Sequence, residues 1–263
     1  MRQPPHAPLF GVIERLQGDM PWGSFLDAGT GVKSALWASD LATARWTGVS
    51  ADPSHLAETR ASLCGALRPQ DRLVAGNWTD PALLAGEVHD VVLAEYLVGA
   101  VEGFSPYFQE SLFRRLRALV GRRLYVVGLD PYVVGGVEGE AGRLVQAIGR
   151  FRDACTLLAG ETPYREFPAE WVLARLEQAG FRVLFAQRFP NRYPMAWVEM
   201  QLATGQALLE RIPDRRLTRE LAAQAGRLRK SAAALIASLG ALPHGFDYVV
   251  AAEPDDGMGA RRG

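Results

Sequence analysis

Cysteine is scarce in this 263-residue chain: Cys64 and Cys155 are the only two, and they form no C-x-x-C pair. That excludes a disulfide scaffold and suits a reducing compartment, so a cytoplasmic location is expected. Lysine is as rare, with Lys33 and Lys230 alone; the Arg-for-Lys usage reads as composition bias. Net charge is missing altogether, since 29 Lys+Arg balance 29 Asp+Glu. No global field therefore recruits a nucleic acid or an anionic membrane. No apolar run approaches the roughly 18 residues of a membrane span, and the proline-rich first eight residues lack the apolar stretch of a leader. The four histidines, His6, His55, His89 and His244, have no metal-ligand spacing, and neither a P-loop nor a G-x-S-x-G elbow is present, so no metal is expected. What remains is an ordinary globular balance, 48% hydrophobic and 22% charged, long enough to bury a core.

Hydrophobic periodicity alternates along the first half. A helix is predicted over 10–16, a strand over 24–27, a helix over 34–44 and a strand over 46–49. A helix over 55–67, a strand over 72–75, a helical link over 81–87 and an apolar strand over 90–94 follow. The amphipathic segment 109–120 carries Leu112, Phe113, Leu116 and Leu119 on one stripe, and 123–127 is a fifth strand. Such alternation predicts an α/β fold with a doubly wound, mostly parallel sheet. The second half predicts helices over 139–159 and 168–180, strand six over 182–186, helices over 200–210 and 214–239, and a seventh strand over 246–252. The expectation is one domain over 1–263 with helical insertions at 133–165 and 191–243. Leu217, Leu221, Leu228, Leu235 and Leu239 form an apolar stripe on the longest helix, which either packs on its own domain or serves a homodimer or a substrate lid.

Strand one runs into Phe25-Leu26-Asp27-Ala28-Gly29-Thr30-Gly31. A glycine turn at a strand's C-terminal edge lets a ligand approach the backbone where helix N–H groups emerge. The third small residue of G-x-G-x-x-G is absent, which counts against a dinucleotide pyrophosphate site. The pattern of two hydrophobics, Asp27, x, Gly29, x, Gly31 resembles the first motif of class I S-adenosylmethionine-dependent methyltransferases, and later features fall in that family's order.

Thr47-Gly48-Val49 followed by Asp52-Pro53 resembles the end of the family's second strand, where an acidic residue binds the ribose hydroxyls. Here Ser50 stands at that position, so either the turn presents Asp52 or ribose binding is weakened. Ala75-Gly76-Asn77-Trp78 resembles the segment after strand three, whose acidic residue receives the adenine amino group. Asn77 could accept through its amide oxygen, and Trp78 either covers the adenine face or is a core aromatic. The run from His89 to Leu97 resembles the fourth strand, whose end faces the methyl group. The resemblance thus places Glu95, Tyr96 and Tyr107 near the chemistry, with Glu95 and Tyr107 as catalytic candidates, His244 as a more remote base and Asp90 as structural. The helical insertion after strand five resembles the lid of small-molecule members.

The resemblance implies S-adenosylmethionine as cofactor, S-adenosylhomocysteine as product, and in-line methyl transfer to a small-molecule acceptor. The cofactor contacts it implies are Asp27, Gly29, Thr30, Gly31, Ser50, Asp52, Asn77, Trp78, Glu95 and Tyr96. Two alternatives stay open: a catalytically silent S-adenosylmethionine-binding module, and a methyltransferase of nucleic acid or protein docking through its Arg-rich helices. A nicotinamide-dependent oxidoreductase is a more distant one.

Overall fold

The computed structural model describes residues 8–255 and 257; His6 lies outside them. In order, the elements are α1 (Pro8–Gln17), β1 (Ser24–Asp27), α2 (Val32–Asp40), β2 (Arg45–Ser50), α3 (Pro53–Ser62), β3 (Arg72–Ala75), β4 (His89–Glu95) and α4 (Leu97–Phe104). Then come α5 (Gln109–Arg117), β5 (Val120–Leu129), α6 (Gly139–Leu158), α7 (Ala169–Gln178), β6 (Phe181–Tyr193), α8 (Met195–Ala207), α9 (Arg215–Leu239) and β7 (Leu242–Pro254).

The strands form one seven-stranded sheet in the order β3-β2-β1-β4-β5-β7-β6, and the pairings β1/β2, β1/β4, β2/β3 and β4/β5 are parallel. The chain steps outward from β1 to β2 and β3, then returns to lay β4 on the other side of β1. The order therefore reverses at β1/β4, the switch point where open α/β sheets bind ligands at the strands' carboxyl ends.

The chain divides into two compact units. The first holds the chain up to Gly128, Phe167–Gln187 and the chain from Tyr248. Its core is the buried strand faces, Leu26, Val92, Ala94, Val126 and Val250 among them, packed with Leu112, Phe113 and Leu116 of α5 and Val172 and Leu176 of α7. The expected α5 stripe is thus the buried one. The second unit, Leu129–Glu166 and Arg188–Asp247, gathers the two helical insertions expected from the sequence into one core. Val145, Ile148, Phe151 and Cys155 of α6 meet Val198 and Leu202 of α8 and Ala225, Leu228 and Ala232 of α9. Leu221 and Leu235 of the α9 stripe pack against this core, while Leu239 is exposed.

Several boundaries differ from the expected ones. The link over 81–87 is a series of turns without a helix, and α4 was not foreseen. Helix α3 ends early because Cys64 and Gly65 both adopt left-handed backbone. Strand β6 runs to Tyr193 and β7 begins at Leu242, so the expected 191–243 insertion is strand at both margins.

Candidate functional site

At the C-terminal edge of β1 the glycine loop is laced to both neighbouring strands. Ala28 N–H donates to the Leu93 carbonyl of β4 at 2.8 Å, and Thr30 N–H donates to the Val49 carbonyl of β2 at 2.8 Å. Gly31 then caps α2: its N–H donates to Ser34 Oγ at 3.0 Å, and Ala35 N–H closes the first turn on its carbonyl at 2.9 Å. The glycines are required by close approach. A Cβ on Gly29 would stand 3.3 Å from Leu97 Cβ of α4, and one on Gly31 would stand 3.2 Å from Cε1 of the His55 ring. Sequence reasoning overlooked His55 and Leu97 as walls of this loop, because only the fold brings α3 and α4 to it.

Asp27 is fully buried, and neither of its carboxylate oxygens completes a hydrogen bond; the Thr30 hydroxyl is buried and unsatisfied as well. Burial pushes the Asp27 pKa up to about 6, against the smaller opposing pull of Ser34, Thr30 and the Gly29 N–H. An unsatisfied buried carboxylate is costly unless a donor arrives to compensate it. The sheet thus holds an acceptor directly beneath the glycine loop and the α2 N-terminus.

Around it the expected residues divide. Ser50 ends β2, and its Oγ accepts the Asp52 N–H at 3.2 Å, while Gly76 N–H reaches the Ser50 carbonyl at 3.0 Å. Asp52 caps α3: Oδ1 accepts from Ser54 N–H at 2.8 Å, Ser54 Oγ at 2.6 Å and His55 N–H at 3.3 Å. These donors hold its pKa below the usual carboxylate value, the Ser54 hydroxyl most of all. Oδ2 accepts no hydrogen bond among the described residues, so Asp52 keeps one oxygen for a ligand.

Two expectations are corrected. Trp78 offers no face to adenine: the indole is 4% exposed in the core, Nε1 donating to the Ala28 carbonyl at 2.8 Å, so the core reading is the right one. Nor is the Asn77 amide oxygen held ready for an adenine amino group. It accepts from Thr79 N–H at 3.0 Å, Thr79 Oγ1 at 2.9 Å and Ser105 Oγ at 2.7 Å, while Nδ2 donates to the Phe104 carbonyl at 3.2 Å. Asn77 fastens the loop after β3 to the end of α4.

Glu95 ends β4, partly buried, and Tyr96 follows in left-handed backbone with φ 49°, its N–H on the Val127 carbonyl at 2.8 Å. A bulky residue in that region costs about 1–2 kcal/mol and is held only where the surroundings impose it. The turn converts the apolar end of β4 directly into α4. Tyr107 also has positive φ, 69°, and is 77% exposed; its N–H is held by the buried carboxylate of Glu102 at 2.9 Å. Asp90 lies at the opposite, N-terminal edge, where its carboxylate accepts from Ser24 N–H and Oγ, both at 2.8 Å, in the structural role expected. His244 belongs to the second unit, 3.4 Å from the Tyr132 carbonyl.

No family model matches the chain, and no curated protein matches it in sequence. Solved structures do match. A provisionally described methyltransferase from Bacillus halodurans C-125 superposes with TM-score 0.58 at 12% identity, over 93% of this chain and 97% of that one. The (4+2)-cyclase SpnF gives 0.56 at 17% identity, over 94% and 79%. The N-methyltransferase NodS from Bradyrhizobium japonicum WM9, solved with S-adenosylhomocysteine, gives 0.50 at 8% identity, over 94% and 85%. At these identities the likeness is one of architecture, and it agrees with the strand order and the glycine loop. The chain has the fold of the class I S-adenosylmethionine-dependent methyltransferases.

Proposed function

We propose that this protein transfers a methyl group from S-adenosylmethionine to a small-molecule acceptor. The observation that carries the reading is the unsatisfied, buried Asp27 carboxylate under a glycine loop at the β1/β4 switch point. The residues present suit the cofactor. Its amino-acid ammonium matches the orphaned Asp27, its carboxylate matches the free N–H groups opening α2, and its ribose hydroxyls match Asp52 Oδ2 and Ser50. When bound, the sulfonium supplies an activated methyl and a good leaving group. The chain's own contribution is alignment in a water-poor site. Glu95, at the end of the central strand, orients the acceptor or takes its proton, and Tyr107 is the second candidate. A small acceptor is favoured over nucleic acid because 29 Lys+Arg are balanced by 29 Asp+Glu, and two of the arginines in and before α9 are engaged by acids, Arg229 with Glu199 and Arg211 with Glu161. Among the described residues no helix is long and apolar enough to cross a membrane.

A second reading has its own support: the amide oxygen of Asn77 is committed to the loop, and SpnF is a fold neighbour whose chemistry is a cyclisation. A silent cofactor-binding module, or other chemistry on the same fold, would look like this. Calorimetric titration with S-adenosylhomocysteine, with NAD in parallel, tests both. Micromolar binding of the first alone supports the proposal, and acceptor turnover then separates enzyme from silent module. Binding of neither ends the methyl-transfer reading for the isolated chain.

A further inference from the structure

The glycine loop has a neighbour that the methyl-transfer reading leaves without a role. His55 stands in the first turn of α3, exposed, and its backbone N–H joins the Asp52 cap at 3.3 Å. The side chain turns back toward the loop: a Cβ on Gly31 would lie 3.2 Å from Cε1 of the ring and 3.3 Å from Nε2. The ring edge that carries Nε2 therefore faces the α2 cap. Neither ring nitrogen forms a hydrogen bond with the described residues. The ring is also close to the Asp52 carboxyl, which is held low chiefly by the Ser54 hydroxyl, against the cost of burial, and by charge on His55 as well.

The polar groups beside this ring are left able only to accept. Asp52 Oδ1 receives Ser54 N–H, Ser54 Oγ and His55 N–H, which leaves Oδ2. Ser50 Oγ accepts the Asp52 N–H at 3.2 Å and donates to the Asp52 carbonyl at 3.4 Å, so its proton is engaged and one lone pair remains. A vicinal diol such as the cofactor's ribose brings two hydroxyls, each both donor and acceptor. Asp52 Oδ2 and Ser50 Oγ receive the two protons, and the hydroxyl oxygens are then without a donor from either residue. Where the family resemblance expects one acidic residue to take both hydroxyls, this chain divides the task between two shorter reaches, with an unengaged imidazole beside them.

We propose that His55 recognises the ribose of the cofactor, its Nε2–H donating to a hydroxyl oxygen while Asp52 and Ser50 accept the hydroxyl protons. The role needs a proton on Nε2, which the imidazolium and one neutral tautomer both carry. The inference rests on the cofactor site described above and deepens it. It adds a selection for ribose over deoxyribose that Asp27 and the glycine loop do not supply.

The test is calorimetric titration of the intact protein with S-adenosylhomocysteine and with its 2′-deoxy and 3′-deoxy forms, for the parent, His55→Phe and His55→Gln. Phenylalanine keeps a ring against Gly31 and removes the donor, whereas glutamine keeps a donor. The parent should prefer S-adenosylhomocysteine over at least one deoxy form by at least about tenfold. His55→Phe should bind S-adenosylhomocysteine at least about fivefold more weakly, yet bind that deoxy form as the parent does, and His55→Gln should recover part of the loss. 5′-Methylthioadenosine keeps the ribose and lacks the amino-acid portion, so it should show the same His55→Phe penalty. An unchanged His55→Phe protein, a penalty undiminished with both deoxy forms, or a penalty that vanishes with 5′-methylthioadenosine would each overturn the proposal and leave the cofactor reading standing. Failure of the parent to bind S-adenosylhomocysteine would end both.

Discussion

The Asn77 amide oxygen and the Ser105 hydroxyl are joined at 2.7 Å, tying the loop after β3 to the end of α4. The residue where the sequence resemblance anticipates an adenine contact therefore acts as a fastener. Asn77→Ala removes four hydrogen bonds at a partly buried position and should lower stability by about 1–2 kcal/mol. Asn77→Asp keeps the three donors on its oxygen and should lose less. Denaturant midpoints of both variants check this, and equal losses would show that the Nδ2 bond to the Phe104 carbonyl, and not the three bonds on the oxygen, carries the effect.

Asp27 links cofactor binding to stability. Its carboxyl rises from the ordinary 3.8 to about 6 in the folded chain, so between those values the folded state binds more protons than the unfolded one. Stability from this group is therefore present at low pH and lost as pH climbs through about 6, to the extent of about 3 kcal/mol. Asp27→Asn should be more stable than the parent at neutral pH, yet bind S-adenosylhomocysteine at least about tenfold more weakly. Denaturation at acid and neutral pH measures the first, and calorimetry the second.

His89 runs the other way over nearly the same window. It is wholly buried, neither ring nitrogen makes a hydrogen bond, and burial with Arg45 nearby depresses its pKa from 6.5 to about 4. The unfolded chain takes up the proton first, so stability from His89 is full above 6.5 and falls by about 3 kcal/mol as pH drops toward 4. The parent should thus show a shallow acid profile in which Asp27 and His89 offset one another. His89→Gln should unmask the Asp27 slope, stability then rising as pH falls toward 4.

Much of this was legible in the sequence. Strands with buried, β-branched residues and the Asp27–Gly31 loop declare themselves locally, because strand, turn and helix signals occupy adjacent residues. Helix α4 did not: Leu97–Phe104 is apolar nearly all round and starts from a left-handed tyrosine, so it carries no amphipathic period and no capping side chain. The ends of β6 and β7 were hidden by Arg188, Pro190, Asn191, Pro243 and Gly245, which read as loop. The commitments of Asn77 and Trp78 depend on Ser105 and Ala28, residues remote in sequence.

Gly128 and Tyr248 give a steric prediction within the first unit. A Cβ on Gly128 of β5 would fall 2.2 Å from the Tyr248 ring carbon Cζ and hydroxyl, and that hydroxyl donates to the Phe167 carbonyl at 3.0 Å. The ring is fully buried and cannot swing aside cheaply. Gly128→Ala should therefore cost about 1–3 kcal/mol by overpacking, more if the Phe167 bond is lost as well. Pairing it with Tyr248→Leu should recover part of that loss, a coupling that a double-mutant cycle in denaturant reads directly.

Glu95 separates chemistry from binding. It ends the central strand one residue before the left-handed Tyr96, and a carboxylate so placed acts on the acceptor or merely seats the cofactor. If it orients the acceptor or takes its proton, Glu95→Gln should lower kcat by about a hundredfold and change S-adenosylhomocysteine affinity less than about threefold. A base that must be ionised also leaves a mark on the pH profile, so the parent's acid limb in kcat should disappear in the variant. If affinity and kcat/KM fall together while kcat holds, Glu95 serves binding only, and Tyr107→Phe becomes the informative variant. Unchanged kinetics and affinity would remove Glu95 from the site and leave the end of β4 as a turn whose strain seats α4 against Gly29.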